Sequence, residues 1–154
     1  MSKNFKNDEE LTVRVVSDEE IHMSMLAVGK LIKPIREQLY EFASGRGFSD
    51  DQIYEIQLAV NEALANIIKH GYKGEKRGEI ELSAETNRFG DLEIAIQDFA
   101  EKVDLAKLVS RDLEDVQDSG LGVYLINNLM DEVEYDLSRE KGTRLILKKK
   151  LKQE

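Results

Sequence analysis

A chain of 154 residues with 41% hydrophobic and 34% charged side chains fits one globular domain, long enough to bury a core without covalent staples. Its net charge of −9 argues against a general affinity for nucleic acid, which needs clustered lysine and arginine, and its zero cysteines exclude a disulfide framework, a thiolate metal site and a thiol nucleophile. No apolar run approaches the length of a membrane span and residues 1–10 are too polar for a secretory signal, so a cytoplasmic location is expected.

Residues 1–10 are expected to be a flexible lead-in to a single domain over 11–151. Leu11, Val13 and Val15 alternate with Thr12, Arg14 and Val16, which predicts a strand over 11–16. Ser17-Asp18-Glu19-Glu20 reads as a capping box with Ser17 as N-cap. From there Ile21, Met25, Val28, Leu31, Ile32, Ile35, Leu39 and Phe42 carry a helical period to Gly45. Pro34, the only proline, is expected to kink or split that helix. Ser49-Asp50-Asp51-Gln52 is a second capping box and opens a helix to about His70, with Ile53, Ile56, Val60, Ala63, Leu64 and Ile67 at core spacing.

Gly71 and Gly74 end this helix. Alternation over 79–85 and 92–97 predicts two strands joined into a hairpin by the turn 87–91 around Gly90. Residues 98–119 lack strong periodicity, apart from a short helix over 105–113. An apolar helix is predicted over 121–130, then a closing hairpin of 133–137 and 143–147 with its turn at Lys141-Gly142. Lys148-Lys149-Lys150 reads as the solvated end of the terminal strand. This order predicts an α+β two-layer sandwich, a mixed and mostly antiparallel sheet with its helices on one face.

Four places carry candidate chemistry. Glu62 and Asn66, at i and i+4 of a helix, stack on one face. Such a pair is either a solvated polar stripe or a general base beside an oxygen ligand for Mg²⁺. Asp98 ends a predicted strand, as a turn former or as an acceptor for an exocyclic amine such as that of adenine. Gly120-Leu121-Gly122 precedes a helix, where open N–H groups and the helix dipole suit phosphate, although Gly-x-Gly alone is a weak signal. Gly142-Thr143 is a turn whose hydroxyl can join the Asp98 network. His22 and His70 are the only histidines and lack the spacing of a zinc site. Gly71, Gly74 and Gly78 make no P-loop, because no Gly-Lys-Ser/Thr follows.

Taken in order, these elements, with Leu58-Ala59-Val60-Asn61-Glu62-Ala63, Lys69-His70-Gly71-Tyr72, Leu125-Ile126 and Leu129-Met130-Asp131, resemble the GHKL-type ATPases. Within them the likeness is to the anti-sigma-factor serine kinases of the RsbW type. The resemblance covers residues 11–151 and implies the GHKL, or Bergerat, ATP-binding fold with ATP and Mg²⁺ as cofactors. It implies Asn66 as the Mg²⁺ ligand and Glu62 as general base or orienter of the attacking hydroxyl. Asp98 would read the adenine amine with Ala100 beside it. Gly120, Leu121 and Gly122 would hold phosphate and Thr143 would support the base. A lid over 105–119 would carry Arg111 as a further phosphate contact. One departure stands out: the family usually has glycine where this chain has Ala100. Adenine binding is expected to survive that change, with weaker affinity or altered lid behaviour as its cost.

The implied activity is a protein serine/threonine kinase that phosphorylates an anti-sigma-factor antagonist of the STAS type and sequesters a sigma factor, as a homodimer. Those partners are proteins, which agrees with the acidic charge. The alternative is a nucleotide-binding interaction switch with little or no kinase activity. Ala100 favours the switch, and the Glu62/Asn66 pair favours the kinase. Histidine-kinase activity is not expected, because no helix bearing a phospho-acceptor histidine precedes the domain.

Overall fold

Period-2 alternation builds most of the molecule. The computed structural model describes residues 3–8, 10–73, 78–100 and 121–152, with the side chains of 3–8 and 121 outside that set. Its strands are β1 (Lys3–Asp8), β2 (Leu11–Ser17), β3 (Glu20–Leu26), β4 (Glu79–Thr86), β5 (Leu92–Asp98), β6 (Glu132–Asp136) and β7 (Arg144–Lys149). They form one sheet in the order β1-β2-β3-β4-β5-β7-β6, and every neighbouring pair is antiparallel. The sheet is thus more uniform than the mixed one expected. A crossover through one helix returns a strand parallel. Between β3 and β4 the chain instead passes through two helices, α1 (Ile32–Gly45) and α2 (Asp50–Asn66), and comes back antiparallel. A third helix, α3 (Leu121–Leu129), precedes β6.

Three expectations are corrected. Residues 1–10 are not simply a flexible lead-in, because Lys3–Asp8 pairs with β2 as an edge strand. The segment from Ile21 to Leu26 is a strand rather than helix. Ile21 and Met25 stand four apart, a spacing that suits either period, but Met23 is buried with them while Ser24 is exposed. Ser17 therefore caps no helix: its Oγ accepts the Glu19 N–H at 3.1 Å inside a β2–β3 hairpin turn. Finally, a 3-10 turn at Gly29–Leu31 leads into α1, which puts Pro34 in the first turn, where a missing N–H costs no intrahelical bond.

The second capping box is as expected. Gln52 N–H donates to Ser49 Oγ at 3.2 Å and Ser49 N–H to Gln52 Oε1 at 3.5 Å. From that start α2 buries Ile53, Ile56, Ala59, Val60, Ala63 and Leu64 against the sheet face that carries Met23, Leu82, Ile94, Ile96 and Leu147. The helix then widens into a π-helical turn, Ile67–Gly71.

The opposite sheet face carries a cross-strand row, with Glu20 opposite Glu85, Glu85 opposite Glu93, and Glu93 and Glu132 opposite Lys148. Partial burial, and then the Glu20 and Glu93 carboxylates, push the Glu85 carboxyl above its ordinary value. A carboxyl that holds its proton more tightly folded than unfolded weakens the fold at neutral pH and stops doing so as pH falls through its folded value. Glu85→Gln is therefore expected to stabilise the protein at pH 7 by about 0.5 kcal/mol after solvent screening, with the gain gone by about pH 4. Thermal unfolding at both pH values checks this, and a lower Tm for the variant at pH 7 would overturn it.

Candidate functional site

The site is built where α2 ends. Glu62 and Asn66 lie in its last two turns, half-buried, and α3 brings its own start down onto them. A Cβ placed on Gly122, the second residue of α3, would stand 3.0 Å from Asn66 Nδ2, 3.2 Å from Glu62 Oε2 and 3.5 Å from Asn66 Oδ1. Only glycine lets the backbone approach a carboxylate and a carboxamide this closely. The positive dipole end of α3 thus shares one place with Glu62 and Asn66, which suits a phosphate whose charge a cation also neutralises. Leu121 opens α3 and its side chain lies outside the described residues, as do Gly120, Arg111 and the expected lid over 105–119.

A second cluster forms where β5 ends and β7 begins. Asp98, 3% exposed, accepts the Ala100 N–H at 3.1 Å and the Thr143 N–H at 3.3 Å, both on Oδ1. Its own N–H donates to the Thr143 carbonyl at 3.1 Å. No described residue donates to Oδ2. Burial pushes the Asp98 carboxyl above its ordinary range, opposed by those two N–H groups. Thr143 is buried and its Oγ1 has no hydrogen-bond partner among the described residues, so a hydroxyl that requires a partner sits beside a carboxylate with one oxygen to spare. Gly142 makes the approach possible. Its φ is +83°, and a Cβ there would fall 2.0 Å from the Asp98 carbonyl oxygen. The structure brings Asp98, Gly142 and Thr143 together, but Thr143 joins Asp98 through its backbone N–H and not through the hydroxyl that the sequence suggested.

Ala100 fits better than expected. Among the described residues Lys73 is the one non-glycine with positive φ, so the backbone here does not call for glycine's freedom. The Ala100 methyl lies over Gly71, where a second Cβ would be 3.4 Å away. The absence of a side chain on Gly71 leaves room for that methyl, and the Ala100 N–H still reaches Asp98.

Two roles escape the sequence reading, in which Tyr72 figured only within the resemblance and Lys149 only as a solvated strand end. Tyr72 Oη accepts the Phe99 N–H at 2.8 Å and donates to the Glu79 carbonyl at 2.6 Å. Burial keeps the phenol protonated by raising its titration. Lys149 is not solvated, as the lysine run had suggested. Its Nζ bonds Glu55 of α2 at 3.3 Å and also the Leu129 carbonyl at the end of α3, which places a cation at the negative end of that dipole. Period-2 counting from Leu145 and Leu147 would have put Lys149 on the buried face.

Among the described residues no group of three or more His, Asp or Glu could hold a metal alone. Mg²⁺ bound with a nucleotide needs only one or two protein oxygens beside the phosphates, and Asn66 fits that demand. The unpartnered Thr143 hydroxyl and the side-chain-free surface of Gly122 likewise fit a bound nucleotide.

Helices on one face of an antiparallel sheet, with a polar pair on one helix facing the glycine-bearing start of another, define the ATP-binding domain of the histidine-kinase type. A family model described as histidine kinase-like ATPase domain matches residues 27–149. The chain belongs to that family and, within it, to the RsbW group. It is 32% identical over 146 residues to the serine-protein kinases RsbW of Bacillus thuringiensis (strain Al Hakam) and Bacillus cereus (strain AH820), covering 88% of this chain and 88% of each relative. Among solved structures, the RsbU and RsbW domains of Rv1364c from Mycobacterium tuberculosis superimpose with a TM-score of 0.67 at 20% identity, over 92% of this chain and 35% of that one. The histidine kinase domain of the Erythrobacter litoralis EL346 blue-light activated histidine kinase matches with a TM-score of 0.52 at 17% identity, over 82% of this chain and 62% of that one. Among the described residues no helix is long and apolar enough to cross a membrane.

Proposed function

We propose that this chain is an ATP- and Mg²⁺-dependent protein serine/threonine kinase and anti-sigma factor. It phosphorylates an antagonist protein of the STAS type and sequesters a sigma factor, working in the cytoplasm as a homodimer. The observation that carries the chemistry is the convergence of Glu62, Asn66 and the backbone of Gly122 on one point; the name of the RsbW relatives, serine-protein kinase, supports it. Mg²⁺, when bound, neutralises charge on the phosphates. Asn66 holds the cation through its side-chain oxygen. Glu62 takes the proton from the attacking serine or threonine hydroxyl, or orients that hydroxyl. The Gly120-Leu121-Gly122 segment receives phosphate oxygens on its N–H groups, with Arg111 as a further contact. Asp98 accepts from the adenine amine and Thr143 supports the base. Phosphoryl transfer asks for positioning and charge neutralisation rather than covalent chemistry, which is what such a set provides.

Calorimetric titration with ATP and Mg²⁺ tests the reading. Asn66→Ala is expected to bind about 10- to 100-fold more weakly than wild type, the worth of one contact to a charged group. Equal affinities would remove Asn66 from the metal site. Label transfer from γ-labelled ATP to serine or threonine of a STAS-type protein tests the kinase step, and its absence with ATP binding intact would leave a nucleotide switch.

A further inference from the structure

The polar pair on α2 and the cluster around Asp98 belong to different elements, and the turn that follows α2 runs from the first to the second. After Asn66 the chain makes its π-helical turn, closed by the Tyr72 N–H on the Ile67 carbonyl at 2.9 Å. That turn lays Gly71 against Ala100 and delivers the Tyr72 hydroxyl to the peptide between Asp98 and Phe99, whose N–H it accepts at 2.8 Å. The same hydroxyl donates to the Glu79 carbonyl at the start of β4. The Tyr72 ring in turn lies on Gly78, where a Cβ would stand 2.5 Å from it, so the ring has one place to go. Phe99 is the hinge of the local turn in which the Ala100 N–H supports Asp98 Oδ1.

We propose that Tyr72 is a positioning residue for nucleobase recognition. Its hydroxyl fixes the Phe99 peptide so that the Ala100 N–H stays on Asp98 Oδ1 and leaves Oδ2 to accept from an exocyclic amine. The inference rests on the reading that this site binds ATP. Removing the hydroxyl keeps the ring on Gly78 but frees the Phe99 peptide, so the base end of the site should lose definition while the Glu62/Asn66 end keeps it.

The test titrates the full chain and Tyr72→Phe with ATP and with inosine triphosphate, each with Mg²⁺; the second nucleotide carries a carbonyl in place of the amine. Wild type is expected to prefer ATP. The variant is expected to bind ATP about 3- to 10-fold more weakly, the worth of one hydrogen bond, with inosine triphosphate unchanged and the preference narrowed by that factor. Equal weakening of both nucleotides, or no weakening, overturns the positioning role with the ATP reading intact. Wild type that binds no ATP overturns the ATP reading, and this inference with it. Amide hydrogen exchange on wild type gives a measurement independent of the variant's folding: the Phe99 amide should be protected without nucleotide, and exchange at the rate of an open peptide overturns the proposal.

Discussion

Gly142→Ala is expected to destabilise the protein by about 3 kcal/mol and to abolish adenine-nucleotide binding. Two costs add. A residue with a Cβ held at a φ of +83° is strained by roughly 1–2 kcal/mol. The new methyl would also meet the Asp98 carbonyl oxygen at 2.0 Å, far inside van der Waals contact, and overpacking of this kind costs a further 1–3 kcal/mol or so. The obstructing atom is backbone in a β5–β7 pair and cannot swing aside. The displacement required is therefore that of Asp98 itself, together with the Thr143 N–H bound to it. Thermal unfolding and ATP titration measure the two effects. Gly45→Ala is the control, since a Cβ there meets nothing within 4 Å. If both variants melt and bind alike, the close approach at Gly142 does not govern the site.

The second large effect separates binding from turnover. Glu62→Gln keeps the size of the side chain and its place against Gly122 but removes the basic oxygen. Phosphotransfer to a protein hydroxyl is expected to fall about 10²- to 10⁴-fold, the usual worth of a positioned general base, with ATP affinity nearly unchanged. Single-turnover transfer of label, read beside an ATP titration, distinguishes this from Asn66→Ala, which acts on affinity. Unchanged transfer in Glu62→Gln would take the base role away from Glu62.

What the sequence made legible follows from how redundantly each feature is encoded. α2 carried a capping box, a core stripe and a polar pair, and each agrees with the structure. Strands β4, β5 and β7 declared themselves by alternation with turn residues between. Residues 17–28 misled because Ile21 and Met25 satisfy two periods at once, and a serine before acidic residues serves a hairpin turn as readily as a helix cap. Asp98 and Thr143 were legible as residues, yet their mutual bonding required the β5–β7 pairing, which no local pattern encodes. Lys149 was hidden by its neighbours: a run of three lysines suggests solvent, and only the register of β7 turns the middle one inward. Tyr72 was visible only as part of the resemblance; its bonding was hidden because its partners are backbone atoms of Phe99 and Glu79 and backbone has no signature. The alanine at position 100 stood out in the sequence as a departure, and its contact with Gly71 became visible only in the fold.

The pairing of β5 with β7 also has a consequence for when the protein becomes competent. Asp98 and Thr143 are 45 residues apart in the chain, so their contact waits on the closure of a long loop and on the last strand of the sheet. As the chain leaves the ribosome, α2 emerges with Glu62 and Asn66 well before β7 exists. Until β7 seats, the partly made protein has Glu62 and Asn66 on a helix, while Asp98 lacks the Thr143 N–H that it accepts in the finished sheet. Under the proposed ATP reading, nucleotide binding would report that β7 has joined β5.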